Sequence, residues 1–505
     1  MKDKTDCIII GGGIGGLFSG AFLARNGMKV TVLEKNAIIG GGLQCFHRKG
    51  KIFETGMHVM GGFGENGNLH KICRYLGIYD SLDLQHIDSD CIDEIHYKKT
   101  GDVYRIASGK ENFIKCMSEY FPEETGGIRA YVEDIYELTE EIPLFYLKED
   151  NGDVRIHSEK FTWSADSLIN SHVSDPRLRE LLAYLNPLYG GVEGHTPAYV
   201  HALIHVLYIN GATRFKGGSQ QLADALKRVI ENAGGNVLSN RNVTRIDVSD
   251  KMITSVHTSD GGIYKAVNYI SAIHPVALLR LLPEGAFQRV FARRLNEIPD
   301  SYSAFSIYID LKPDRFPYID HTCYYMEDYG NMWNQDNFDP CDWPKCFMYM
   351  TPPDPGQGKF ANRLLVHCIM SYELVRKWEN TTVGHRGEDY ENWKNENVRK
   401  ILDKLQTIFP DIYDSIACIY SASPLTIRDY FNTRDGAIFG YRKDCRNLIF
   451  SQLPIHSKVR NLFLTGQNIN LHGMCGVPLT AIYTAEAILG KNTIVKGIND
   501  VCKDI

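Results

Sequence analysis

The amino-acid sequence predicts an α/β protein with more than one domain. The chain has 505 residues, opens with a strand–glycine turn–helix–strand pattern, and closes with a second glycine turn between an apolar segment and a helix. Chains longer than about 250 to 300 residues seldom form a single hydrophobic core. We therefore expect an α/β domain together with further structure from the long middle region.

The opening pattern is a βαβ unit. Residues 7–10 (CIII) are a short apolar run typical of a strand buried on both faces, and GGGIGG follows them directly. A helical stretch comes next, and residues 29–33 (KVTVL) predict the second strand. Residues 7–24 carry no charge, but five glycines, at positions 11, 12, 13, 15 and 16, interrupt the middle of this run. This argues against a signal peptide or a membrane span.

The glycines of this unit have the spacing of a Rossmann-like dinucleotide fingerprint, with an acidic residue, Glu34, about twenty residues further on. Gly11 permits the tight turn, Gly13 lets a pyrophosphate approach the backbone, and Gly16 allows the helix to pack closely on the strand. The N-terminus of the helix favours the phosphates. Glu34 is expected to accept hydrogen bonds from both hydroxyls of the adenosine ribose.

The segment after Glu34 indicates FAD rather than a nicotinamide dinucleotide. A nicotinamide-binding domain would continue with another strand–helix unit. Here a glycine loop at residues 40–42 leads into an extended segment, residues 51–62 (KIFETGMHVMGG). Such a segment suits the long FAD molecule.

The end of the chain carries a second candidate nucleotide segment. Residues 459–465 predict a short strand, Gly466 and Gln467 a turn, and residues 478–489 a helix with Pro478 in its first turn. Between the two ends, residues 200–210 and 388–409 predict amphipathic helices. Residues 321–350 are rich in aromatic side chains. They either line an apolar channel or form a strand pair with core aromatics.

Composition excludes several classes of function. Fifty-five basic and 61 acidic residues give a formal charge of −6, so no basic excess indicates a nucleic-acid partner. A hydrophobic fraction of 44% with a mean hydropathy of −0.24 argues against an integral membrane protein. Thirteen cysteines without CxxC or zinc-ligand spacing predict free thiols in a reducing compartment and no metal site. We expect a cytoplasmic protein.

The motifs resemble those of the FAD-dependent amine oxidase superfamily, in particular its branch of phytoene desaturases, carotenoid isomerases and retinol saturase. The resemblance spans nearly the whole chain. It rests on residues 53–61 (FETGMHVMG), 215–219 (FKGGS), 371–387, 423–436 and 461–476. One position departs from the pattern, because many relatives have an arginine near the pyrophosphate where this chain has Gly42.

The resemblance implies a Rossmann-like FAD-binding domain of the glutathione-reductase type with a discontinuous α+β substrate domain. Residues 1–75, 215–275 and 445–505 would form the FAD-binding domain. Residues 76–214 and 276–444 would form the substrate domain.

The fingerprint and the resemblance together assign a set of FAD contacts. Gln467 would contact the ribityl hydroxyls. The N–H groups of Gly476 and Val477, at the start of the C-terminal helix, would stabilise the negative charge of the reduced ring. The full set is Gly11, Gly13, Ile14, Gly15, Gly16, Glu34, Lys35, Gly41, Gly42, Thr55, Gly56, Met57, His58, Val243, Gly466, Gln467, Gly476 and Val477.

The activity implied by the resemblance is an FAD-dependent oxidation or reduction of C=C and C–C bonds in an apolar polyene, such as a retinoid, a carotenoid or another isoprenoid lipid. Saturation by hydride transfer through flavin N5 is the main expectation. Desaturation, redox-neutral cis–trans isomerisation, amine oxidation and lipid binding without turnover are the alternatives. Two possibilities remain for the redox partner of the flavin. Either NAD(P)H or another reduced carrier donates electrons to it, or a quinone or dioxygen exchanges electrons with it. An apolar substrate is compatible with peripheral membrane contact.

The family motifs make His58 and Tyr430 the candidate proton donors, because they place both near the flavin or the substrate tunnel. Histidine also has an ordinary pKa near neutrality. Tyr189 and His195, in a glycine-rich loop, are weaker candidates. Arg428 either binds a polar substrate head group or is solvated.

Overall fold

The computed structural model describes residues 5–56, 58–152, 156–333, 335 and 338–503. Met57, one of the predicted FAD contacts, lies outside the described residues. The strands, in chain order, are β1 Thr5–Ile10, β2 Val30–Leu33, β3 Cys45–Arg48, β4 Lys51–Glu54, β5 Val59–Met60, β6 Leu84–His86, β7 Asp93–Tyr97, β8 Val103–Ile106, β9 Thr213–Phe215, β10 Asn236–Leu238, β11 Val243–Ser249, β12 Met252–Thr258, β13 Ile263–Tyr264, β14 Ala266–Ser271, β15 Ser303–Leu311, β16 Thr322–Met326, β17 Cys346–Met350, β18 Arg363–Met370, β19 Ile416–Ala422 and β20 Leu462–Leu464.

The α-helices pack on both sides of these strands and between them. In chain order they are α1 Ile14–Arg25, α2 Asn68–Tyr75, α3 Lys110–Tyr120, α4 Thr125–Glu140, α5 Ala165–His172, α6 Pro176–Leu181, α7 Ala198–Ile209, α8 Gln220–Asn232, α9 Pro275–Leu281, α10 Arg289–Glu297, α11 Glu388–Gln406, α12 Ile412–Ser415, α13 Pro424–Phe431, α14 Leu448–Ser451, α15 Gly473–Leu489 and α16 Thr493–Val501.

A five-stranded parallel sheet joins the two ends of the chain. Its strand order is β10–β2–β1–β14–β20, so the two N-terminal strands lie between two strands from the middle of the chain, and the C-terminal strand forms one edge. Ile9 in the central strand lies beside Val32 on one side and Ile270 on the other. All three side chains are buried, as expected for a parallel sheet covered on both faces. Helix α1 packs against α8 and α15. The predicted α/β fold class is confirmed.

A seven-stranded mixed sheet is built from the two long middle regions. Its order is β19–β15–β18–β17–β16–β7–β8, and β7 pairs with β16 in parallel although the two strands are far apart in sequence. The other pairings are antiparallel. Helix α11 contributes Ile401, Leu402 and Leu405 to the apolar core on one face of this sheet. The opposite face looks toward the first sheet.

The C-terminal helix begins earlier than the sequence predicted. Helix α15 starts at Gly473, so Pro478 lies inside the helix and the prediction that it occupies the first turn is wrong. Gly473 takes a left-handed φ of 72°, which glycine adopts without strain. By position, the unpaired N–H groups of the helix start are those of residues 473–476, and Val477 falls beyond them.

No single helix among the described residues is long and apolar enough to cross a bilayer, and only α15 and α16, bent by 117° to each other, pass that test of length and composition as a pair.

The close packing of α1 on the sheet predicts opposite effects for two helical glycines. A Cβ at Gly16 would lie 2.1 Å from the carbonyl oxygen of Gly11, whereas a Cβ at Gly126 in α4 would meet nothing within 4 Å. Gly16→Ala should therefore lower the free energy of unfolding by about 1 to 3 kcal/mol or more. Gly126→Ala should raise it by up to about 1 kcal/mol. Urea unfolding measures both, and equal stability of the two variants would contradict the packing argument.

Candidate functional site

One cavity of about 470 Å³ lies between the two sheets. Residues at or just after the carboxyl ends of four parallel strands border it: Ile10, Leu33, Ala272 and Thr465. In open α/β sheets ligands bind at this edge. The cavity therefore occupies the position at which the βαβ unit predicts a dinucleotide.

Most of the predicted cofactor contacts line this cavity. They are Gly11, Gly13, Ile14, Gly15, Glu34, Lys35, Gly41, Gly42, Thr55, Gly56, His58, Val243, Gly466, Gln467 and Val477. Two predicted contacts do not. Gly16 packs on the strand, which is the role expected of the third fingerprint glycine, and Gly476 lies against Leu471 on the far side of α15. Gly476 does not border this cavity, and its predicted contact with the cofactor stays a prediction.

Glu34 is fixed by two backbone N–H groups. Its Oε2 accepts from the Gly12 N–H at 2.7 Å, and its Oε1 accepts from the Asn36 N–H at 2.8 Å. The side chain is 6% exposed. Each carboxylate oxygen keeps a second lone pair, so the orientation suits the predicted bonds to two hydroxyl groups.

The glycines allow backbones from distant parts of the chain to meet around the cavity. A Cβ on Gly15 would lie 2.9 Å from the Cα of Gly466, and a Cβ on Gly41 would lie 3.1 Å from the Cα of Gly13. Side chains at these positions would fill the space beside the N-terminus of α1. The donors and the bare backbone present there fit the pyrophosphate and ribose of FAD.

The departure at Gly42 leaves few positive charges in the cavity. Among the described residues that line it, Lys35 and Arg241 are the only lysine and arginine. Lys35 Nζ donates to the Asp429 carbonyl at 2.7 Å, and burial lowers its pKa. The Arg241 N–H donates to the Glu34 carbonyl. Both positively charged residues therefore lie close to Glu34, the carboxylate predicted to bind the ribose.

The C-terminal segment closes the opposite end of the cavity. Gln467 borders the cavity, and its Nε2 donates to the Ile438 carbonyl at 3.3 Å. The first residues of α15, from Gly473 to Cys475, also border it. The positive end of this helix dipole thus faces the space, through Gly473 to Cys475 together with Val477.

His58 is anchored on its Nδ1 side. Nδ1 lies 3.1 Å from Glu54 Oε1 and 2.8 Å from Ser219 Oγ, and the Glu54 side chain is almost completely buried. A carboxylate that accepts from Nδ1–H leaves Nε2 as the nitrogen able to exchange a proton. Because His58 borders the cavity, a proton on Nε2 would be available there.

A second histidine, His367, borders the same cavity and was not predicted. Its Nδ1 lies 2.9 Å from Ser306 Oγ, and its buried Nε2 has no hydrogen-bond partner among the described residues. Burial, with a smaller contribution from the charge of His58, lowers its pKa to about 3. The available signal was a single histidine within the apolar run of β18 (RLLVHCIM).

Tyr430 has a different neighbourhood from His58. Its backbone carbonyl accepts from Asn36 Nδ2 at 3.0 Å, two residues beyond the ribose acid, and the residue is 47% exposed. Although Tyr430 borders the cavity, it does so at the ribose end. This position lies away from the apolar end of the cavity, and the predicted catalytic role of Tyr430 stays a prediction.

The three weaker candidates have partners elsewhere and do not border the cavity. The Tyr189 hydroxyl pairs with His201 Nδ1 at 2.9 Å, and His195 Nδ1 lies 3.2 Å from Asp444 Oδ2. Arg428 donates to the Tyr372 hydroxyl and the Glu379 carbonyl and forms an ion pair with Asp429. Arg428 is therefore held by protein partners, with 24% of its side chain exposed, and does not border the cavity.

The aromatic-rich residues 321–350 form a strand pair that both lines the cavity and contributes core aromatics, on its two opposite faces. β16 and β17 pair in antiparallel fashion, and Tyr324 and Met348 border the cavity. Their neighbours Tyr325 and Tyr349 point into the core beneath α11. Side chains alternate between the faces of a strand, so one pair of strands supplies both a cavity wall and core aromatics.

The fold and the cavity define a dinucleotide-binding α/β protein whose site opens into an apolar chamber. The model of the family described as flavin containing amine oxidoreductase matches residues 14–489. The chain belongs to this family, and it is a flavin-dependent oxidoreductase related to the polyene-acting branch.

Similar proteins of known name span most of the chain. All-trans-retinol 13,14-reductase of Rattus norvegicus is 27% identical, covering 97% of this chain and 87% of the rat protein. The chloroplastic prolycopene isomerase 2 of an Oncidium hybrid cultivar is 25% identical, over 87% of this chain and 75% of its own length. The 4,4'-diapophytoene desaturase of Staphylococcus haemolyticus is 22% identical, over 95% and 98%.

Solved structures share the fold. An oxidoreductase from Methanosarcina mazei superposes with a TM-score of 0.62 at 18% identity, covering 95% of this chain and 100% of the other. A CLA-producing fatty acid isomerase from P. acnes gives 0.58 at 14% identity, covering 97% and 99%.

The low pKa of His367 predicts acid-sensitive stability. In the folded state its pKa falls from an ordinary 6.5 to about 3, so between these values only the unfolded chain takes up this proton. Stability should therefore decline as pH falls from about 6.5 toward 3, by up to about 1.4 kcal/mol per pH unit for one proton. His367→Asn should make the decline shallower in urea unfolding between pH 6.5 and 4.5. His385→Asn, at an exposed position, should not. Identical slopes in all three proteins would refute the assignment.

Proposed function

We propose that this protein saturates a C=C bond of an apolar polyene, a retinoid, carotenoid or other isoprenoid lipid. In this reaction one π bond breaks and two C–H bonds form. One hydrogen arrives with two electrons drawn from NAD(P)H or another reduced carrier, and the other arrives as a proton. When bound, FAD supplies the two-electron chemistry, and the protein supplies binding, orientation and exclusion of water.

The observation that carries this proposal is the continuity of the cavity. The same space that holds the fingerprint glycines and Gln467 continues to an apolar end. That end is bordered by Leu207, Tyr208, Ala304, Tyr324, Met326, Met348, Cys368 and Ile369. A long apolar molecule placed there would approach the ring end of the dinucleotide, while the surrounding side chains exclude water.

The charge of the cavity favours a neutral substrate over an amine. Glu34 is the only carboxylate among the described residues that border the cavity, and it is held at the ribose end. The apolar end therefore offers no anion to balance a protonated amine, whose burial without a partner would be costly. An uncharged polyene carries no such cost.

The proton is assigned to His58. Glu54 and Ser219 fix its Nδ1 side, so Nε2 is the ring nitrogen left to face the substrate. His367 stays neutral beside it, because burial and the charge of His58 both oppose a second positive charge. We assign to His367 Nε2 a hydrogen bond with the polar end group of the substrate or with a water molecule.

The division into domains follows from the same arrangement. We propose that residues 1–75, 215–275 and 445–505 form the FAD-binding domain, and that residues 76–214 and 276–444 form the substrate domain. Support comes from the two sheets, which draw their strands from these segments. The FAD contacts proposed are the cavity residues named above, together with residues 473–475 and Gly476.

The function is tested with anaerobically reduced, FAD-loaded protein. All-trans-retinol, a poly-cis carotene and a saturated lipid of equal length are offered in detergent micelles. We expect the polyenes to restore the yellow absorbance of oxidised flavin and to gain two hydrogens by mass spectrometry. The saturated lipid should do neither. His58→Gln should slow reoxidation about 10²-fold or more while retaining flavin, and His47→Gln, on the exposed end of β3, should leave it unchanged.

The outcomes separate the alternatives. Loss of two hydrogens by the substrate with oxidised protein would indicate desaturation, and a product of unchanged mass but altered geometry would indicate isomerisation. Peroxide release with amines alone, without any response to polyenes, would overturn the proposal.

Peripheral membrane contact is also proposed, through a patch formed by α10 and α14. Val290 and Ile449 are 71% and 83% exposed, and Arg294 joins the two elements by donating to the carbonyls of Ile449 and Phe450. Exposed arginines at 289, 293 and 446 lie within three residues of Val290 or Ile449 along the chain. Exposed apolar side chains among arginines suit the surface of an anionic bilayer.

Replacement of the apolar pair tests this contact. The double variant Val290→Glu/Ile449→Glu should reduce co-sedimentation with vesicles of phosphatidylserine and phosphatidylcholine at least several-fold. The control variant Val103→Glu changes a partly exposed valine in β8 of the seven-stranded sheet. It should bind the vesicles as the parent protein does. Binding that is equal in all three would place the contact elsewhere or exclude it.

A further inference from the structure

A second group of reactive side chains lies outside the cavity, at one end of β7 and β16. These strands run parallel, with Asp93 opposite Thr322 and Glu94 opposite Cys323. Their N-terminal ends therefore meet at the same edge of the sheet. The residues just before each strand, Cys91 and His321, are brought together although they are far apart in sequence.

Three possible metal ligands converge at this edge. One ligand atom each of Cys91, Glu94 and His321 lies within 4.8 Å of the other two, and all three residues are partly buried. Glu94 is held in place from both sides. Arg105 Nε donates to its Oε2 at 2.9 Å, and His96 Nε2 lies 2.6 Å from its Oε1.

The hydrogen bonding of His321 leaves one ring nitrogen facing this group. Its Nδ1 lies 2.8 Å from Asp320 Oδ1, so Nδ1 carries the proton that the carboxylate accepts. Nε2 is buried and has no hydrogen-bond partner among the described residues, and its distance to Glu94 Oε1 is 3.9 Å. An imidazole that donates through Nδ1 to a carboxylate and offers Nε2 inward has the arrangement of a metal-binding histidine.

We infer that Cys91, Glu94 and His321 bind a divalent transition-metal ion of the zinc type. A thiolate, an imidazole and a carboxylate are a ligand set for Zn²⁺ rather than for Ca²⁺ or Mg²⁺, which prefer oxygen ligands. The thiolate and the carboxylate balance the charge of the ion. The partial exposure of the site leaves the fourth position to water.

The site would join the two halves of the seven-stranded sheet. β7 comes from the first middle region and β16 from the second, and their parallel pairing has no short connection to support it. A metal bridging residues 91 and 321 would stabilise this pairing, because an ion that binds only the folded state shifts the unfolding equilibrium. This role does not depend on the proposed activity.

Cobalt titration of the FAD-loaded 505-residue protein tests the site. After removal of metals with a chelator, Co²⁺ should bind with one equivalent and give thiolate charge-transfer absorption that Zn²⁺ abolishes. Zn²⁺ should also raise the midpoint of thermal unfolding. Cys91→Ser should eliminate the charge-transfer absorption. Asp320→Asn, which keeps all three ligands, should weaken Zn²⁺ binding about 10- to 100-fold.

Controls keep the result interpretable. Cys341→Ser, at an exposed cysteine outside the group, should bind Co²⁺ as the parent protein does. Retained flavin absorbance and circular dichroism show that each variant is folded. Absence of stoichiometric binding, or charge-transfer absorption that persists in Cys91→Ser, would overturn the inference. In that case the group is an ion pair between protonated His321 and Glu94.

Discussion

The close approach of two backbones, at Gly15 near the start of the chain and at Gly466 near its end, is the constraint on which the rest of the structure depends. There is no room for a Cβ between them. The contact is made at the carboxyl edge of a parallel sheet in which β14 pairs with β1, and β20 pairs with β14, from regions hundreds of residues later. Parallel neighbours need crossover connections, and here the crossovers are long enough to build a second sheet. The cavity exists because those crossovers return over the carboxyl edge of the first sheet.

The seven-stranded sheet both borders the cavity and packs into a hydrophobic core, because successive side chains of its strands point to opposite faces. Tyr324 and Met348 face the cavity, while Tyr325 and Tyr349 pack under α11. A shift of the pairing by one residue would place the core aromatics in the cavity, so the buried face fixes the register that shapes the chamber. The apolar core on the outer face therefore determines the shape of the functional space on the inner one.

Local patterns predicted the ends of the chain well and the middle less well. The glycine spacing and Glu34 predicted the βαβ unit and the cavity edge, since those signals act over a few residues. The predicted start of α15 was wrong. Proline is favoured in the first turn of a helix, whereas here the helix begins at Gly473 and contains Pro478 in its interior. His367 and the group at Cys91 and His321 were missed, because each depends on pairing between distant strands that no local spacing records.

The two histidines that border the cavity are the same type of residue, but they differ in their hydrogen-bond partners and therefore in the chemistry available to them. His58 is backed by the buried carboxylate of Glu54, whereas His367 is backed by the neutral hydroxyl of Ser306. Burial without a nearby anion disfavours the protonated form, which keeps His367 neutral. Two protonated imidazoles in one apolar chamber would repel each other at short range and low dielectric. His367 therefore adds no charge to the chamber, which suits an apolar substrate.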